Sequence, residues 1–466
     1  MKPGRDSRVR SAAMSQTSLR AAAAPTLALL AAFAIAPPTP AAEPTDVWPQ
    51  WRGPGGRGRA PGHSVPTTWD ESTIAWKTPI EGRGLSSPIV WGDRVFVTTA
   101  IEGEVIPGAA APDHTLGGQP FRHPASVGAD KSHTFEVLAL DTASGEIVWS
   151  KTSYQGRVFD DRHSASSYAS PTPVTDGERV YAYFGSEGVY AYDFAGELAW
   201  STDVGDIKTV GLGVGTSPVL WGDLLIIVAD EDSGEHSFIV ALDKRTGKEI
   251  WRKPRPVQVS WGTPLVVDAP DGRTQLLVTG FEHVISYDPA TGEELWRADG
   301  LQNNAIHMPM VHGNLAIFTS GYPEKITMAI PLDKSGDLGD TRAWTYTKGT
   351  AYVPSNVLID GLLYLTNDGG VITCLDAATG ELVYEGGRFP ERTRFMASLL
   401  QVGDQILMIS NDGRAAFVAT GREHRITAET SLGENVLATP AVAGNRLYVR
   451  GEQHLYAIGS GEAAAR

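Results

Sequence analysis

Cysteine is nearly absent from this chain of 466 residues. Cys374 stands alone, so no intramolecular disulfide can form, even in an oxidising compartment. It takes the place that other copies of a repeat give to Ala139, Ala191 and Ala241, and so reads as a small buried residue on an inner strand. Long apolar runs are scarce as well. The single candidate, AAAAPTLALLAAFAIA, is too short and too interrupted by Pro25 to read as a membrane span. Arg5, Arg8, Arg10 and Arg20 precede it, and the small residues Thr39, Ala41 and Ala42 follow it, so residues 1–42 read as a secretory signal peptide. No cysteine follows the apolar stretch, which argues against a lipid anchor at the cleavage site. Beyond it, helical periodicity is missing. Positive charge is in deficit, with a formal net charge of −15, so nucleic acid and anionic membranes are poor partners.

What the chain does contain is one phrase written several times: Ala-x-Asp-x-x-(Thr/Ser)-Gly-x-x-x-Trp. It is complete at ALDTASGEIVW (139–149) and ALDKRTGKEIW (241–251), with near copies ending at Trp200, Trp296 and Tyr384. Each copy reads as a β-hairpin, in which Gly supplies the positive φ of the turn and Asp bonds the backbone across it. The turn carboxylates Asp141, Asp193, Asp243, Asp288 and Asp376 are therefore structural. A terminal Trp is too large for one thin sheet and needs a neighbouring sheet to bury it. Trp76, Trp149, Trp200, Trp251 and Trp296 are the expected blade-docking residues.

A second phrase precedes each hairpin: a small residue, Pro, a short apolar run, then Gly-Asp, Gly-Asn or Asp-Gly and another apolar run. Its copies start at Pro88, Pro173, Pro218, Pro264, Pro309, Asn356, Leu399 and Pro440. Eight starts predict an all-β, eight-bladed propeller of four-stranded antiparallel blades over residues 74–459. The long first interval places an insertion in blade one near residues 101–134. The eighth copy lacks a Trp strand, and an orphan strand around Trp76 is expected to complete that blade and close the ring. Residues 43–73 read as an N-terminal extension and 460–466 as a disordered tail.

These repeats resemble the pyrroloquinoline-quinone-type β-propeller family, whose docking motif puts Ala on the third strand and Trp on the fourth. The opening WPQWRGPGGRG and the stretch SNVLIDGLLYLTNDGGVITCLDAATGELVY are similar to a secreted bacterial subgroup of it. That subgroup is related to the propeller lipoprotein of the outer-membrane β-barrel assembly machinery. The resemblance implies a fold and a cell-envelope or periplasmic setting. It implies no activity. Dehydrogenases of the family hold pyrroloquinoline quinone against a disulfide of adjacent cysteines, with calcium bound by carboxylates and an amide. One cysteine cannot make that disulfide, and the repeated Asp residues are accounted for by turns.

Other chemical readings are weak. FDDRHSASSY (159–168) gathers Asp160, Asp161, His163 and two serines, but no Gly-x-Ser-x-Gly elbow occurs, and a polar loop is expected. His114, His123 and His133 lie nine and ten residues apart, too far for the close pairs that zinc favours, and read as a flexible surface loop. No metal and no cofactor are expected. What remains is recognition by the loops before each inner strand, which symmetry gathers at one mouth of the central channel. They carry Arg83, His163, Tyr168, Trp261, Asn303, Asn304, His307, Tyr352, Arg394 and Asn435. The reading is a secreted, non-catalytic, monomeric scaffold for an envelope protein or small ligand. Its alternatives are a quinone- and calcium-dependent dehydrogenase, or a carbohydrate or peptide binder stacking its ligand on Trp261 and Tyr352.

Overall fold

A computed structural model of the chain describes residues 47–302, 304–350, 352–386, 389 and 393–460. The signal-peptide segment, the tail beyond 460 and Asn303 lie outside the described residues. The described residues form an eight-bladed propeller.

Blade 3 shows the rule. Val219–Trp221, Leu224–Ala229, Phe238–Asp243 and Glu249–Pro254 run inside to outside, each antiparallel to the next. The second strand is buried along nearly its whole length because other blades cover both of its faces, whereas the fourth alternates between buried and exposed. Blade 2 (174–202), blade 4 (265–299), blade 5 (310–346) and blade 6 (357–385) repeat the plan, and blade 4 gains a short fifth strand at Gly336–Asp337. In blade 8, Ile74–Pro79 supplies the outer strand and pairs Trp76 with Ala457, as the orphan strand predicts. The ring therefore has no free seam between its first and last blades.

The docking geometry is now explicit. Each Trp lies on the turn glycine of the next blade: Trp76 on Gly145, Trp149 on Gly196, Trp200 on Gly247 and Trp251 on Gly292. A Cβ at those glycines would sit 2.4–2.9 Å from the indole, so the residue must be Gly for space as well as for φ. The indole N–H of Trp200 donates to Lys244 O at 3.0 Å, and Trp149 and Trp76 do the same to Phe194 O and Thr142 O. Trp296 differs. Its N–H donates to Gln275 in its own blade, while its ring meets Phe318 of blade 5 edge-on. Blade 5 docks through Trp344, which lies on Gly380 and was not among the expected five.

The turn aspartates do what their spacing requires. Asp141 accepts from the N–H of Ala143 and Ser144, and Asp243 from Arg245 and Thr246, at 2.8–3.0 Å. Hydrogen bonding, led by the Ser144 N–H for Asp141 and the Thr246 hydroxyl for Asp243, holds both carboxyls below their usual range.

The extension is part of the propeller rather than a separate arm. Val47–Trp48 adds an inner strand to blade 1, and Arg59–Ala60 adds one, parallel, to blade 7. Between them the chain occupies the central channel, where Trp48 and Arg52 are buried. Thr175 of blade 2 donates to Pro49 O, and the Arg52 guanidinium donates to Asn356 O of blade 6. Gly53, Gly56 and Gly58 all have positive φ there, and side chains of Trp48, Met308 and Arg52 leave no room for a Cβ.

Candidate functional site

The small residue before each blade-starting proline has a job that sequence patterning did not disclose. Ser87 N–H donates to Thr172 Oγ1, Thr172 N–H to Ser217 Oγ, and Ser217 N–H to Thr263 Oγ1, all at 3.0 Å. The series resumes from Met308 N–H to Ser355, Ser355 to Ser398 and Ser398 to Thr439. A hydroxyl from each of six blades thus satisfies an amide of the blade before it around the channel; blade 5 has Met308 at that position, and the Ser87 hydroxyl of blade 1 takes no part. The recurrence of Ser or Thr just before Pro was the available signal.

Above this ring the pre-strand loops enclose a cup of about 670 Å³. Its wall includes His163, Trp261, Tyr352 and Arg394, contributed by four different blades, and Trp51 of the channel segment faces it from behind. Leu85, Leu212, Ile306, Phe395 and Leu437 add apolar surface, and the hydroxyl residues of the ring line its floor with them. Trp261 is held by its indole N–H donating to Gly213 O at 2.8 Å. Burial and the neighbouring Tyr322 and Asp368 push the Tyr352 hydroxyl above its usual range. Burial, then His123 and the nearby arginines, pull the His163 imidazole below its usual range.

Trp261 and Tyr352 also belong to a second cavity of about 410 Å³ beside the cup, with Asn304, Phe281 and Tyr322. Its far wall is the blade-one insertion, through Leu116, Phe121 and His123. The inserted chain is shorter than the 101–134 span suggests, because the blade strands extend to Val105 and resume at Lys131. It is docked rather than a flexible surface loop. His114 is buried, with Nε2 2.9 Å from Asp160 and Nδ1 3.1 Å from Asp232. Burial opposes the imidazolium, the two carboxylates favour it, and the net shift of His114 is upward. Asp161 accepts from Ala129 N–H and from Arg122, both at 2.9 Å. The acidic pair of FDDRHSASSY lies in a polar loop, as expected, and there forms a buried clamp for the insertion.

The other expected site residues fall elsewhere. Tyr168 is buried, and its hydroxyl donates to Asp160 O, so it is a wall of the blade 1–2 seam and not of the cup. Arg83 ties down Ser164 O and Ala165 O behind the cup wall. His307 is fully buried between blades. Asn435 is on the exposed rim, donating to Glu452 at 3.0 Å.

The cup does not fit calcium with a quinone. Among the described residues its lining offers one carboxylate, Asp368, whose Oδ1 already accepts from Tyr352 N–H. A hard cation of this kind takes six to eight oxygens, typically several of them charged. Cys374 is buried inside blade 6, and no three His, Cys, Asp or Glu side chains among the described residues converge to hold a metal ion.

Fold and mouth together define an eight-bladed propeller of the quinoprotein-like type. The family described as outer membrane protein assembly factor BamB matches residues 133–386, more than half of the chain, and the chain belongs to that family. Among curated relatives, the outer membrane protein assembly factor BamB of Bordetella pertussis is 27% identical over 42% of this chain and 46% of its own length. That of Burkholderia pseudomallei is 25% identical over 64% of this chain and 65% of its own length. The chain thus spans from about half to just under two thirds of these relatives. Solved structures agree on the fold. BamB from Moraxella catarrhalis superposes with a TM-score of 0.51 at 14% identity, covering 78% of this chain and all of that one. A europium-containing methanol dehydrogenase superposes at 0.61 and 12% identity, over 88% and 91%. Among the described residues no helix is long and apolar enough to cross a membrane.

Proposed function

We propose that this chain is a non-catalytic scaffold of the bacterial cell envelope, working in a periplasm-like compartment, and that its cup grips an apolar or aromatic segment of a partner protein. The observation that carries the reading is the pair of adjoining cavities sharing Trp261 and Tyr352, predominantly apolar and backed by Trp51. Buried aromatic anchors ringed by a few polar groups are how interfaces concentrate their binding energy. The family's description as an outer membrane assembly factor supports an envelope partner. The poor fit of the cup to calcium and a quinone weighs against the dehydrogenase reading.

The test is titration of the purified protein with purified envelope barrel-assembly subunits, followed by Trp fluorescence. Binding should be saturable and should weaken by about 2 kcal/mol or more in the triple variant Trp261→Ala, Tyr352→Ala, Arg394→Ala. Unchanged binding in that variant would remove the cup from the interface. Dye reduction with alcohols or sugars after reconstitution with pyrroloquinoline quinone and calcium would overturn the non-catalytic reading altogether.

A further inference from the structure

Arg83 and Tyr168, displaced from the cup, meet again in a separate pocket of about 230 Å³ at the seam of blades 1 and 2. One water needs only about 10–15 Å³ of such space, so the pocket can take something larger. Its other charged and titratable lining groups are Glu102, His133 and Arg162. Glu102 and His133 are cross-strand partners in blade 1 and share a face.

The polar groups here are unevenly satisfied. His133 is 2% exposed, and no side chain hydrogen-bonds either ring nitrogen. Its ring meets Tyr168 edge-on at 4.7 Å, which fixes its plane without using a nitrogen. Arg83 spends both terminal nitrogens on Ser164 O and Ala165 O, and its buried Nε has no partner. Arg162 donates to His163 O and Ser166 O, and reaches Glu102 only at 3.5 Å. A buried donor left unmatched costs about 1–3 kcal/mol, so Arg83 Nε, beside an imidazole whose one polar neighbour is the Lys131 backbone, points to an absent acceptor.

Charge says what kind of acceptor. The pocket lining sets one carboxylate, Glu102, against Arg83 and Arg162, and Lys131 already contacts it; outside the lining, Asp161 also acts on Arg162 and Asp130 on Lys131. Asp161 already accepts from Arg122 and from Ala129 N–H. Burial holds the His133 imidazole below its usual range, with Glu102 partly offsetting that, so an entering anion would draw a proton onto the ring.

We propose that this pocket binds one small oxyanion, a carboxylate or a sulfate- or phosphate-like group, between His133, Arg83 Nε and Arg162. The site is independent of the reading of the cup, although it lies behind the 164–167 loop that forms part of the cup wall.

Calorimetric titration of the full protein with sulfate and, separately, acetate tests it. Saturable binding is expected, tighter at about pH 5.5 than at about pH 8, because sulfate keeps its charge while His133 gains one. His133→Leu should weaken binding at least about tenfold, and Glu102→Gln, which removes the one opposing charge at an exposed position, should strengthen it several-fold. Preference for acetate would point to a carboxylate of a polypeptide, and preference for sulfate to a free oxyanion. No saturable heat with either probe would overturn the site. So would binding that ignores both substitutions, which would mean an adventitious ion only. If His133→Leu fails the circular-dichroism check for folding, the Glu102→Gln result decides.

Discussion

Blade 3 and blade 1 are built from the same two phrases, yet they spend their residues differently. In blade 3 the aspartate closes a turn, the glycine makes room for an indole, and the tryptophan reaches into the next blade. Beyond these, its 230–237 loop lends Asp232 to the insertion of blade 1. Blade 1 keeps every one of those contacts and adds an inner strand from the extension, a lengthened hairpin and an insertion clamped by His114. Both secondary pockets border these additions. The repeat supplies rigidity, and departures from it supply shape.

The sharpest break of this division is between two tryptophans. Trp200→Ala removes a docking indole that is 8% exposed, and should lower unfolding free energy by about 3–5 kcal/mol in a denaturant titration. Trp261→Ala, at the cup, should cost about 1 kcal/mol, the scale of its single hydrogen bond to Gly213. Equal losses would erase the distinction between scaffold and mouth.

A smaller effect separates two glycines of similar φ. Gly53→Ala at φ 71° meets the Trp48 ring at 2.6 Å, whereas Gly222→Ala at φ 57° in the blade 3 turn meets nothing within 4 Å. Both should lose about 1–2 kcal/mol for left-handed backbone, and Gly53→Ala should lose more because a buried indole must move. Thermal melts of the two variants compare them directly.

The finest test concerns the insertion. Two carboxylates flank His114, and a neutral imidazole has only one N–H to offer them. The His114 pKa is raised on docking, so the clamp is at full strength below about pH 6.5 and weakens as pH rises through the raised value. The carboxyl of Asp232 is also raised, mainly by burial, which pulls in the same direction. Amide exchange across residues 106–130, corrected for intrinsic rate, should therefore show easier opening at high pH. His114→Gln should abolish the difference.

The blades and their closure were legible because each element is announced locally. A turn aspartate, its glycine and a tryptophan lie within eleven residues, and the period does the rest. Trp344 escaped because it follows the Ser335-Gly336 turn by eight residues, where the phrase puts its Trp four residues on. Tyr168 and His307 are polar residues in pre-strand loops, and the sequence alone does not show whether such a side chain turns to the mouth or into a seam. The clamp on His114 was hidden for a different reason: Asp232 is 118 residues away, and only the fold brings them together. The channel segment had no repeat to betray it, and the positive φ of its glycines shows only in the structure.

The Arg59 side chain meets Gln401 across 342 positions of chain. The residues that thread the channel are made first, and their last partners are made almost at the end. Arg59–Ala60 therefore waits through the synthesis of six blades for its partner in blade 7, and the strand 74–79 through seven for its partner in blade 8, with hydrogen-bonding edges unmatched. Such long-range pairing is slow to form and exposed to aggregation while it is pending. Late folding, rather than final stability, is where this architecture is most vulnerable.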